Sequence, residues 1–161
     1  MSDLLVNLTY PEALTALRMV AEKVAKREGK SVDELETQFQ QEAANQSIHI
    51  PLVASDETED WKQNGLRFIE ILRALLSSDE EFLKSAAESA ILNVKGKGES
   101  HGFVAVIFAV GAVMFAIGLL SKIEYSKEKG LTISKGLPDM QKIPAVVSSF
   151  FGGPDTNEAN E

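Results

Sequence analysis

Few side chains in this 161-residue chain have the types and spacing for chemistry. His49 lies in the apolar run Ile48-His49-Ile50-Pro51-Leu52-Val53, where a structural role explains it. His101 follows Ser100, but neighbours in sequence do not form the nucleophile–base geometry of a triad. Asp56, Glu57, Glu59 and Asp60 could ligate a cation. The glycine-containing spacing of a calcium loop is absent there. Acids at a helix start are also explained by the positive end of the helix dipole. The stretch Lys95-Gly96-Lys97-Gly98-Glu99-Ser100-His101 holds glycine and lysine side by side. It lacks two glycines five positions apart followed by Lys and Ser or Thr, so it reads as a linker rather than a phosphate loop.

The absences narrow the chemistry further. With no cysteine there is no disulfide, thiolate nucleophile, Cys-bound zinc or iron–sulfur cluster. Two histidines do not make a His-rich metal site. No G-x-S-x-G, H-E-x-x-H or dinucleotide fingerprint occurs. An enzyme working with carboxylates would need Glu70 or Glu88 enclosed in a pocket. The expectation is therefore a protein that is not an enzyme, with no catalytic, cofactor-binding or metal-ligating residue and no cofactor. Net charge is −8, from 16 basic and 24 acidic residues. Nucleic acid is excluded as a partner, because phosphate contacts need clustered Lys and Arg.

The elements that would carry a function are mainly helical. Leu4, Val6 and Leu8 suggest a short strand or extended lead-in. Thr9 is placed to cap a helix with Pro11 in its first turn and Leu14, Leu17, Ala21 and Val24 as its stripe. Gly29 stops it. Ser31-Val32-Asp33-Glu34 matches a capping box and starts a second helix. Its stripe is thin, Val32, Leu35, Phe39 and Ala43, and Gln38, Gln40 and Gln41 leave the rest polar. A third helix carries Trp61, Gly65, Phe68, Ile69, Leu72, Leu75 and Leu76 on one face. Ser77 or Ser78 caps a fourth, with Phe82, Leu83, Ala86, Ala87, Ala90, Ile91 and Val94. Residues 1–95 thus read as a small helical bundle able to bind a protein partner, and 96–101 as a linker.

Residues 102–120, GFVAVIFAVGAVMFAIGLL, contain no charge, hydroxyl or amide over nineteen positions. A helix of that length spans about 28 Å, against about 30 Å for the bilayer core. The expectation is a membrane-spanning helix over 102–121, and a membrane location for the chain. Gly102, Ala105, Ala109, Ala112 and Ala116 form a narrow small-residue stripe, with Gly111 and Gly118 as a second pair. Such stripes let helices associate in lipid, so self-association into a homo-oligomer is expected. Lys122, Lys127, Lys129 and Lys135 follow the segment, against Lys95 and Lys97 before it, which would set the C-terminal flank inside. No secretory signal precedes the bundle, which favours a cytoplasmic N-terminal domain instead. A segment stored out of lipid and inserted on activation is a third arrangement. The alternative is a soluble oligomerisation or protein-interaction module with 102–120 as a buried core helix.

Beyond it, Ile123-Glu124-Tyr125 and Leu131-Thr132-Ile133 alternate around a turn ending at Gly130, a β-hairpin over 122–136. Residues 137–151 form a short apolar helix. Its Ile143, Val146, Val147, Phe150 and Phe151 dock on the domain or contact a membrane or partner. Residues 152–161 read as a disordered tail. The outline of residues 60–136 is similar to that of membrane-active effector components of bacterial defence systems. That resemblance implies membrane perturbation and assigns no residue. The expected function is accordingly a single-span membrane protein that self-associates, as a membrane-perturbing effector or membrane-anchored adaptor.

Overall fold

The computed structural model describes residues 2–48, 60–97 and 110–151. Among them are six α-helices and one two-stranded antiparallel hairpin. Helix α1 runs Tyr10–Arg27, α2 Val32–Asn45, α3 Asp60–Leu76 and α4 Glu81–Lys97. Then come α5, Val110–Leu120, the strands β1, Lys122–Ser126, and β2, Gly130–Ser134, and α6, Ile143–Phe151. The lead-in Ser2–Leu5 is a 3-10 turn and not a strand, and a second such turn, Met140–Lys142, precedes α6.

Local sequence sets both ends of α1 and α2 and the start of α4. Thr9 accepts from Glu12 N–H and donates its own N–H to the Glu12 carboxylate, at 3.2 and 2.9 Å. Ser31 and Glu34 repeat this capping box at the head of α2. Helix α1 closes in a Schellman turn: Gly29 takes φ +73°, and the Lys30 N–H reaches Ala25 O at 2.7 Å. Helix α2 closes the same way with Ser47 at φ 57° and Ile48 N–H on Ala43 O. At α4 the cap is Glu80 rather than Ser77 or Ser78. Its carboxylate accepts from Leu83 N–H, while the buried Ser78 hydroxyl, two residues earlier, accepts from Glu80 N–H.

Helix α1 is the centre. Its buried residues, Ala13, Leu14, Ala16, Leu17, Val20, Ala21, Val24 and Ala25, make a face wide enough for three neighbours. It packs on α3, α4 and α5. Helix α2 lies chiefly against α5, and α6 bridges α5, α2 and β1. The hairpin pairs Ile123 with Ile133 and Tyr125 with Leu131, turning Ile123, Leu131 and Ile133 into the core. Gly130 at φ +77° closes its three-residue loop. Beneath it the rings of Phe68, Phe151, Phe150 and Tyr125 succeed one another at 4.9–6.5 Å. Lys135 N–H donates to the Asp79 carboxylate at 2.7 Å, tying the hairpin's exit to the α3–α4 turn. Lys95 Nζ donates to Leu4 O and Val6 O, both at 3.1 Å, and latches the N-terminal turn onto α4.

The expected membrane location is corrected here. Among the described residues, no helix is long and apolar enough to cross a membrane. Helix α5 has 11 residues, about 16 Å of rise where a bilayer core needs about 30 Å. Every residue from Gly111 to Gly118 is buried. Eight consecutive buried positions exceed two helical turns, so protein covers this stretch on all sides. A Cβ on Gly111 would overlap the Phe39 ring of α2, and one on Gly118 would stand 2.8 Å from Ile143 Cδ1 of α6. The apolar helix finds its sheath in α1, α2 and α6 instead of lipid tails. The buried hydroxyl just past its end is also satisfied, Ser121 Oγ donating to Ile117 O at 2.9 Å. Residues 102–109, the tail 152–161 and residues 49–59, with most of the acidic cluster, lie outside the described residues.

Candidate functional site

Of the stripe singled out for association, Ala112 and Ala116 lie on α5. Gly102, Ala105 and Ala109 lie outside the described residues. Ala112 and Ala116 are fully buried within the chain. Of the α6 set, Ile143, Val147 and Phe150 are buried in the core, and Val146 and Phe151 are half-buried against it. None of these positions lines the cleft between α2 and α5.

A different group of residues does. A cleft of about 390 Å³ opens between α2, α5 and the Met140 turn. Lys30, Gln38, Gln41, Glu42, Asn45, Phe115, Leu119 and Met140 line it. Its wall follows from helical geometry. Gln38, Gln41, Glu42 and Asn45 recur at i, i+3, i+4 and i+7, so they stand in one row on the flank of α2. The buried stripe of Leu35, Phe39 and Ala43 holds that flank over α5. The floor is apolar. Phe115 is 6% exposed and meets Phe39 edge to face at 6.3 Å, and Leu119 and Met140 are half-buried beside it. The Schellman turn at Gly29 and the capping box at Ser31 fix Lys30 at one end of the row.

The wall is polar without being self-satisfied. Gln40 Nε2 donates to Glu36 at 3.2 Å. Gln46 Nε2 donates to Glu42 at 2.9 Å and to Gln141 O at 2.7 Å. By contrast, the side-chain amides of Gln38, Gln41 and Asn45 have no hydrogen-bond partner among the described residues. Each carries two donors and an acceptor. Among the described residues no group of three or more His, Asp or Glu gathers in a way that could hold a metal ion.

The cleft thus presents neutral donors and acceptors along one side and an aliphatic and aromatic floor below. That combination suits a ligand with an amide-like edge and an apolar body. The glutamines of α2 entered the sequence reading only as the polar remainder of a thin stripe. The signal that could have found them is their spacing, 38, 41 and 45 on one helical flank, beside the aliphatic stripe that fixes the flank's direction. No family model, curated protein or solved structure matches the chain, so the outline likeness to membrane-active effectors gains no support from that side.

Proposed function

We propose that this chain is a non-enzymatic protein-interaction module that receives a partner polypeptide in the cleft between α2 and α5. The observation that carries this is the row of three amides without a hydrogen-bond partner among the described residues, Gln38, Gln41 and Asn45, set above the floor of Phe115, Leu119 and Met140. A polypeptide main chain alternates donors and acceptors, as primary amides do, and its side chains supply the apolar part. The cleft volume, about 390 Å³, lies at the low end of small-ligand sites, which run roughly from 300 to 1,000 Å³. That is room for a large side chain with its adjoining main chain, and too little for a dinucleotide cofactor. The apolar helix serves this function as the internal wall on which α2 is mounted.

The test is display of random peptides against the purified chain, followed by titration of the enriched sequences onto wild type and a Gln38→Ala, Gln41→Ala, Asn45→Ala variant. Enriched peptides should lose about tenfold or more in affinity on the variant, since each hydrogen bond contributes about 0.5–1.5 kcal/mol. Enriched peptides that bind both proteins equally would rule the cleft out as the recognition surface. Enriched sequences matching a stretch of this chain would make the partner a second copy.

A further inference from the structure

Resting on the assignment of the cleft to a polypeptide, we infer that its occupant is an extended segment of net positive charge that seats one aliphatic side chain on the Phe115–Leu119–Met140 floor. Three observations lead there. The first is length. Gln38 and Asn45 are seven residues apart on α2, about 10 Å along the axis, which matches three residues of extended chain at about 3.3 Å each. A segment lying along the row would meet an amide at each end and one between, with a single side chain pointing down.

The second is charge. Helix α2 carries Asp33, Glu34, Glu36 and Glu42 and no Lys or Arg. Among the lining residues Lys30 is the one cation and Glu42 the one anion. Glu34 stands one turn before Gln38 on the same flank. Gln46 holds the Glu42 carboxylate by a neutral amide donor, which orients its charge without cancelling it. The whole chain is at −8. An acidic segment would approach against this field and a basic one with it. A single lysine is a poor match for a phosphate-rich ligand.

The third is the floor itself. Phe115 is 6% exposed, so too little of its ring is open for a sugar or base to stack on it. Leu119 and Met140 complete a surface suited to a branched aliphatic group, the thioether adapting to its shape.

The test uses the whole chain and short fluorescein-labelled peptides read by anisotropy. One has a central leucine flanked by alternating serine and lysine. The second replaces lysine by glutamate, and the third replaces the leucine by serine. The lysine–leucine peptide should bind about tenfold more tightly than either, and should weaken as salt is raised. Glu42→Gln should reduce its affinity about threefold without changing the thermal midpoint. Equal binding of the glutamate peptide, or insensitivity to salt, would overturn the charge assignment. Equal binding of the serine-centred peptide would overturn the anchor. In either case display-selected peptides that still need Gln38, Gln41 and Asn45 would leave the cleft as a polypeptide site. If no peptide of any charge depends on those amides, the cleft assignment falls as well.

Discussion

Helices α5 and α2 meet where Gly111 lies under the ring of Phe39, and they are built on opposite terms. Helix α5 has no polar side chain from Val110 to Leu120, so no direction around its axis is better suited to water than another. Helix α2 buries only Leu35, Phe39 and Ala43 and leaves the rest of its surface to acids and amides. The first needs cover on every side, and the second supplies part of it. The pair shows that an unbroken apolar run reports how many sides of a helix are covered. It does not report whether lipid or protein does the covering. The polar partner is equally constrained: a thin stripe suffices when one large ring drops into a groove floored by glycine.

The strongest way to break that comparison is to remove the ring. Phe39→Ala should cost about 3–5 kcal/mol in urea unfolding, because it empties the space over Gly111 and beside Phe115. A loss below about 1 kcal/mol would mean that α2 is not what covers α5. Next comes the groove. Gly111→Ala puts a methyl group into the Phe39 ring and should cost about 1–3 kcal/mol, with the cost relieved in a Phe39→Leu background. A third change acts on α2 alone: Ser31→Ala removes the cap acceptor of Glu34 N–H and should cost about 1 kcal/mol, read as a lower melting midpoint. The smallest effect is expected from Gln38→Ala with Gln41→Ala and Asn45→Ala. Among the described residues these amides have no partner to lose, so unfolding free energy should stay within about 0.5 kcal/mol while peptide binding falls. A large loss of stability there would assign the row to the fold instead of to a ligand.

What the sequence disclosed follows the range of the interactions involved. Ser31 and Glu34 are three residues apart, and their reciprocal bonds are local, so the start of α2 was legible. The hairpin was legible because alternation and Gly130 act within a dozen residues. Ser78 was a near miss: a serine before acids looks like a cap, but Glu80 sits two residues further on and takes the role. Leu4, Val6 and Leu8 suggested extension, while the turn they adopt depends on Lys95, some ninety residues away. The run 102–120 was the hardest case. Hydrophobicity reads the same for a helix in lipid and a helix in a protein core, and only long-range packing separates them. The cleft was hidden for the same reason, since Gln41 and Leu119 become neighbours only once α2 lies on α5.

The lysine that reaches back to Leu4 and Val6 has a consequence for synthesis. Its two acceptors leave the ribosome about ninety residues before its ammonium group does. Until α4 has emerged, the carbonyls of that first turn face water and Leu5 and Leu8 lack their final seat. The closure of that turn therefore waits on α4 and cannot precede it.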